Sequence, residues 1–317
     1  MQISIERYNP GMEQEWDEFV RKDSVNGTIY HTRKFLSYHP RGRFEDTSIL
    51  VRDGTKLVAV VPSCKTRKGF VSHLGSPYGG PVIREGYHHA VALESLVEAV
   101  HSFYNGNIVM RLAERPLWKE YSDALVFFLG RSYRLEEQLG VFKKLPPGGQ
   151  DLLSTVRKHS ARNEIRQAQC KGARVEQGSS DEHYQGFYAL LEATLKRHDA
   201  VPSHSVAELL CLRDLLGDEQ ALLLLREAGG ALVAGAYLVR TTPRVWEVYY
   251  LASDLASAVS ASSFLYFVCM EFAASQGASW LNMGLCMENR ELNPSLLAFK
   301  EGLGAEPVIR HVTHPII

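Results

Sequence analysis

The chain has little cysteine and no system in what it has. Cys64, Cys170, Cys211, Cys269 and Cys286 are scattered through 317 residues. They are odd in number and fall mostly within apolar segments, which excludes a disulfide frame and reads as free buried thiols in a reducing compartment. No cysteine or carboxylate stands at ligand spacing from His88-His89, His311 or His314, so no metal site is expected. An excess of one charge is missing too. The formal net charge is −1, which leaves no global field to attract nucleic acid, and any RNA contact has to be local. Residues 1–6 lack a basic start and an apolar run, and no uninterrupted apolar stretch approaches the ~20 residues of a membrane span. The expectation is a cytoplasmic protein with no membrane span. What is present is ordinary globular composition, 45% hydrophobic and 22% charged, in a chain long enough for two domains.

Residues 245–304 organise the second half. Val245-Trp246-Glu247-Val248-Tyr249-Tyr250-Leu251 suits a buried strand. Residues 254–261 are small and polar, and the helix after them puts Leu265, Val268, Cys269, Phe272 and Ala273 on one face. Gly277 ends that helix, Trp280-Leu281-Asn282-Met283-Gly284 is a short strand, and Asn293-Pro294 opens a last helix with Phe299 and Lys300. A strand feeding a helix N-terminus points backbone N–H groups at a ligand, which favours an anionic or carbonyl-bearing one.

The first half reads strand, helix, helix, hairpin, loop, helix, strand, with the hairpin at Asp53-Gly54. Its glycine- and proline-rich loop, residues 72–81, is either a plain crossover or a substrate-facing loop in which Tyr78 is the candidate contact. The second half repeats a similar order, with a hairpin around Gly229-Gly230. A tandem duplication is expected, joined at Leu145-Pro146-Pro147-Gly148-Gly149-Gln150, giving domains 1–147 and 148–317. A helix over residues 153–172 puts Lys158, Arg162 and Arg166 four apart on one face. By itself that pattern reads as a solvated basic face.

The combination resembles the second half of a GNAT acyltransferase domain. Its details are most similar to the FemAB branch, the aminoacyl-transferases that build peptidoglycan cross-bridges, and to FemAB-like proteins of polysaccharide and peptide biosynthesis. The residues that carry the resemblance are Trp246 to Tyr249, the strand end Leu281-Asn282-Met283-Gly284, and Phe299-Lys300 followed by Gly304. The resemblance implies an α/β fold with mixed sheets, built as tandem GNAT-like lobes with an interlobe cleft. The acyl-donor site then belongs to the C-terminal lobe.

Site roles follow from the same resemblance. It places Lys300 at the active site, next to Phe299, where a fixed ammonium stabilises a developing oxyanion and helps to hold the 3′ end of a donor tRNA. It gives Lys158, Arg162 and Arg166 phosphate-bearing ligands, which guanidinium groups grip bidentately. It sets His198 near the acceptor pocket, although a helix C-terminus attracts basic residues without any function. Acyl transfer to an amine needs a base and an acid, and Glu247, Tyr249 and Tyr250 are the candidates. Strand alternation puts Glu247 and Tyr249 on one face and Tyr250 on the other.

One departure bears on the donor. A conventional acetyl-CoA enzyme carries glycines before its long helix, and Leu255-Ala256-Ser257-Ala258-Val259-Ser260 has none. The leading expectation is transfer of an aminoacyl group from tRNA to an amine of a cell-wall precursor or small peptide, with no tightly bound cofactor. The acceptor is then a phosphorylated sugar or a peptide. The alternatives are an acetyl-CoA-dependent N-acetyltransferase acting on an amino sugar, and a non-catalytic binding module with the same fold.

Overall fold

The structure is a computed structural model and describes residues 2–40, 42–147, 151–197, 199–254, 261–288 and 290–316. The chain divides into two compact units, Met1–Gln138 with Ile309–Ile317, and Leu139–Val308. The division falls inside the strand Arg134–Lys144, and Leu145-Pro146-Pro147 follow directly after that strand.

The first unit runs β1 (Ile3–Arg7), α1 (Glu13–Glu18), α2 (Arg33–Leu36), β2 (Glu45–Asp46), β3 (Ile49–Asp53), β4 (Lys56–Val61), β5 (Cys64–Thr66), β6 (Gly69–Val71), β7 (Val82–Ile83), α3 (Ala90–Phe103), β8 (Ile108–Arg111) and α4 (Asp123–Ser132). β1, β3, β4 and β7 form an antiparallel sheet in that order. The β3–β4 hairpin turns at Asp53-Gly54 as the sequence suggests, with Gly54 at φ +58, where glycine is unstrained. Leu50, Leu57, Val60 and Val82 close on Trp16, Phe19 and Val20 to make this sheet's core. β2, β5, β6 and β8 pair separately, with β6 and β8 parallel.

The second unit takes up the chain within β9 (Arg134–Lys144). It continues with α5 (His159–Cys170), β10 (Arg174–Gly178), α6 (Asp181–Lys196), α7 (Val206–Leu216), β11 (Gln220–Arg226), β12 (Leu232–Thr242) and β13 (Val245–Ser253). There follow α8 (Ala261–Ser275), β14 (Trp280–Leu285), β15 (Met287–Glu288), β16 (Glu291–Leu292), α9 (Pro294–Gly302) and β17 (Glu306–His314), whose residues from Ile309 onward belong to the first unit and pair there with β8. The sheet order is β10-β11-β12-β13-β14-β9, antiparallel except for the β13–β14 pair. Trp246, Val248 and Leu281 pack with Leu265, Cys269 and Met270 of α8 in one core cluster.

Local signals explain most boundaries. Asn293 accepts from the Leu296 N–H with Pro294 at the first helical position, and Ser205 with Glu208 forms a capping box for α7. Gly277, at φ +74, follows α8. Other expectations change. The helix expected from residue 153 is interrupted: a 3₁₀ turn at Leu152–Thr155 is followed by an extended step, and Lys158 is the N-cap of α5. Val156 is fully buried there, and the Thr155 and Val156 carbonyls are taken by the side chains of Lys143 and Arg162 instead of helical amides. The amphipathic stripe expected for α8 is in fact a helix buried on nearly every side from Phe264 to Met270. All five thiols are free, but Cys170 and Cys211 lie on outward faces of α5 and α7 and are exposed, not buried. Among the described residues, no helix is long and apolar enough to cross a membrane, and no group of His, Cys, Asp and Glu could hold a metal ion.

Candidate active site

The second unit has a fork in its sheet. β13 and β14 pair through Val245↔Trp280, Trp246↔Leu281 and Glu247↔Asn282, and among the described residues this pairing goes no further. β14 then loses register with β9 between Asn282 and Leu285. The cause is local. The Asn282 side chain accepts from the Gly284 N–H at 2.9 Å, and Gly284 sits at φ +79. This turn, closed by an asparagine on a left-handed glycine, bends the strand end out of the ladder. Beyond the fork, backbone groups on the facing edges of β13 and β14 have to find partners other than each other.

Lys300 lies behind this bend. Its Nζ donates to the Leu285 carbonyl at 3.1 Å and to the Gly284 carbonyl at 3.5 Å, and the residue is only 2% exposed. Burial pushes its amine below the usual lysine range, against the opposing pull of the neighbouring Cys286 thiol, which hydrogen-bonds to it. A surface lysine would show none of this. Phe299 is half-buried, its ring 5.9 Å from that of Tyr266.

α9 is fixed at its far end as well. The Gly302 carbonyl accepts from the Lys158 N–H at 2.8 Å. Lys143 Nζ reaches the Thr155 carbonyl at 3.0 Å and the Gly304 carbonyl at 3.3 Å, and burial lowers its amine to about 8. The first turn of α5 and the last turn of α9 are thereby held together, which brings the elements of Lys158 and Lys300 side by side.

Glu247 is 8% exposed and stands in register with Asn282. Tyr249 departs from the expected alternation. The β12–β13 register passes from Leu238↔Val248 to Tyr237↔Tyr250, so Tyr249 is the extra residue of a bulge. Both tyrosine rings consequently meet His204, at 5.5 and 5.7 Å, and His204 Nδ1 lies 2.7 Å from Tyr250 Oη. The split of Tyr249 and Tyr250 onto opposite faces is thus corrected by the bulge.

The basic residues divide by role. Arg162 Nη1 donates to the Val156 carbonyl at 2.5 Å and to that of Arg157 at 3.0 Å, so its guanidinium seals its own turn. Lys158 and Arg166 are exposed. His198 and residues 255–260 lie outside the described residues. Arg197, beside His198 in sequence, donates to the Ser253 carbonyl at 2.8 Å and ties the end of α6 to the end of β13. Tyr78, in the first unit, is buried, with the Arg310 guanidinium 4.9 Å from its ring centre. Gly79 is required in that loop, because a Cβ there would lie 2.1 Å from Ser72 Cβ.

Four residues of this geometry are not among the sequence candidates: Asn282, Cys286, Lys143 and His204. Asn282 carries a signal, since a polar residue between Leu281 and Met283 in an apolar strand demands a partner. The other three have none.

Residues 155–290 match the family model described as acetyltransferase (GNAT) domain. No curated protein sequence matches the chain. Among solved structures, FemX is similar over 99% of this chain and 97% of its own, at 13% identity and a TM-score of 0.71. The C-terminal domain of a putative lysylphosphatidylglycerol synthetase from Agrobacterium fabrum is similar over 98% and 93%, at 12% identity and a TM-score of 0.61. A tandem GNAT protein from the clavulanic acid biosynthesis pathway is similar over 98% and 97%, at 12% identity and a TM-score of 0.58. Residues 155–290 are therefore similar to a GNAT acetyltransferase domain, and the chain as a whole shares its fold with FemX and with a tandem GNAT protein.

Proposed function

We propose that the protein is a FemAB-like acyltransferase that moves an aminoacyl group from aminoacyl-tRNA onto an amine of a cell-wall precursor or small peptide. The observation that carries this reading is the burial of Lys300 behind the β13–β14 fork, on the carbonyls of Gly284 and Leu285. A cation held rigidly in a site of low dielectric stabilises charge that develops on a carbonyl oxygen far more than one in water.

In the proposed reaction the acceptor ammonium first loses a proton, with Glu247 as the base. The neutral amine attacks the ester carbonyl, and the resulting oxyanion lies in the field of Lys300. Collapse breaks the bond to the tRNA 3′ oxygen, which takes a proton from Tyr249, and the second proton shed by the attacking nitrogen restores the Tyr249 phenol as the amide forms. Lys158 and Arg166, exposed at α5, face the donor's phosphates. Arg162 supports them by holding the turn. Phe299 and His198 are proposed contacts to substrate, whereas Tyr78, 1% exposed in the first unit, is a packing residue and not a substrate contact. The donor is a substrate, no tightly bound cofactor takes part, and use of charged tRNA sets the reaction in the cytoplasm.

A second reading is an acetyl-CoA-dependent N-acetyltransferase acting on an amino sugar. It is favoured by the acetyltransferase character of the family model over residues 155–290 and disfavoured by the missing glycines of residues 255–260. Thermal shift with aminoacyl-tRNA, coenzyme A and UDP-sugar precursors in parallel separates the two, because a ligand that binds only the folded state raises its melting temperature. A rise with charged tRNA and none with coenzyme A is expected. The reverse result would transfer the assignment to the second reading.

A further inference from the structure

The first unit contains a cavity that the acyl-transfer reading does not use. It measures about 550 Å³ and lies against β6, β8 and the C-terminal end of β17. That volume is within the range of roughly 300–1,000 Å³ typical of small-molecule sites.

Its floor is apolar where a solvent-facing sheet should be polar. Val71 stands opposite Val109 in the parallel β6–β8 register, and both are half-buried. Ile108 and Met110, the neighbours of Val109 along β8, are fully buried on the opposite face, so this strand has apolar residues on both sides. Ile316 extends the floor and is 65% exposed, while Phe70, in register with Ile108, turns its ring to Tyr104 at 5.1 Å and borders the cavity from the other face. An apolar patch left partly open on the outer face of a sheet is the kind of surface that a ligand covers.

The margin has one sign of charge. Lys68 and Arg134 line the cavity, and no carboxylate does so among the described residues. His314, also in the lining, is held by Glu136 at 2.9 Å and adds no free charge. An adjoining cavity beyond Asn107 and Ile316 has Arg131, but that guanidinium is already engaged by Glu94 at 3.2 Å. Lys68 and Arg134 are therefore the cations available to an incoming anion.

We propose that this cavity binds a medium-chain amphiphilic carboxylate, its alkyl body on Val71, Val109 and Ile316 and its carboxylate on Lys68 and Arg134. The apolar floor accounts for the body, and the uncompensated cations account for the head. A wholly apolar ligand would leave both cations without purpose, and a polar anion would waste the floor.

Calorimetry with sodium octanoate, decanoate and dodecanoate, below their micelle concentrations, tests this. Saturable binding at one site is expected, tightening by about fourfold per added methylene. Lys68→Glu combined with Arg134→Glu should weaken decanoate binding at least tenfold and leave decanol binding within twofold of wild type. Both positions are exposed, so the variant should retain its far-ultraviolet spectrum, and either single substitution serves as a check. Absence of saturable decanoate binding below 1 mM (about −4 kcal/mol) would overturn the proposal. So would unchanged decanoate affinity in the double variant, or decanol binding as tightly as decanoate to the wild type.

Discussion

The Lys143 amine donates to the Gly304 carbonyl at 3.3 Å, and the space between these residues admits no side chain. A Cβ on Gly304 would lie 2.4 Å from Lys143 Nζ and 2.1 Å from the Thr155 oxygen, at a backbone φ of +84. This contact fixes the end of the helix that carries Lys300.

Two glycines should therefore differ in how they tolerate alanine. Gly284 also has a positive φ, +79, but nothing stands within 4 Å of its missing Cβ. Gly284→Ala should cost about 1–2 kcal/mol, the penalty of the left-handed conformation alone. Gly304→Ala adds overpacking and should cost about 2–5 kcal/mol. Urea denaturation of the two variants measures the difference. Equal losses would mean that the Lys143–Gly304 contact does not constrain the fold.

Lys143 also predicts a pH dependence. Its folded value is about 8 against the ordinary 10.5. Between those values the unfolded chain binds more protons, so this residue's contribution to stability rises as pH goes from about 8 to about 10.5. Buried tyrosines such as Tyr250, raised above 10.0, act in the opposite sense at the top of that window. The difference between wild type and Lys143→Met isolates the lysine, and wild type should gain on the variant across that interval. Parallel curves would show that the amine titrates normally.

Arg162 and Arg166 should separate. Arg162→Ala leaves the Val156 carbonyl without its partner and should lower stability by about 1.5–3 kcal/mol, a fall of several degrees in melting temperature. Arg166→Ala, on an exposed residue, should leave the melting temperature unchanged and weaken binding of a phosphorylated ligand. Differential scanning calorimetry and a binding isotherm on each variant check both halves. A loss of stability at Arg166 with none at Arg162 would reverse the assignment.

Asn282 has the clearest positioning role. Asn282→Leu keeps the branched shape and removes the acceptor for the Gly284 N–H, which should release the strand bend. Turnover should fall at least tenfold while the melting temperature moves by only a few degrees. An unchanged rate would show that the bend does not matter to chemistry.

Much of the fold is legible because its signals are local. Asn293-Pro294, Asp53-Gly54 and Gly277 each mark a boundary through their own backbone preferences, and each element lies where those residues put it. The site is less legible because it depends on partners distant in sequence. Nothing adjacent to Lys300 reveals that a bend at Gly284 turns two carbonyls towards it. The bulge at Tyr249 is set by its neighbour strand, and no residue in β13 announces it. The break before α5 arises because Lys143 and Arg162 claim the carbonyls that a continuous helix would need.

The most direct test of aminoacyl transfer is single-turnover kinetics with radiolabelled aminoacyl-tRNA at saturating donor, comparing wild type with Lys300→Met. Removing the amine leaves the Leu285 and Gly284 carbonyls short of a donor and should cost about 1–3 kcal/mol of stability, so folding is verified first. Wild type is expected to move the label onto an amine acceptor, and the folded variant to do so roughly 10²–10³ times more slowly. Rates within a few-fold of each other, or transfer from acetyl-CoA and none from charged tRNA, would contradict the account.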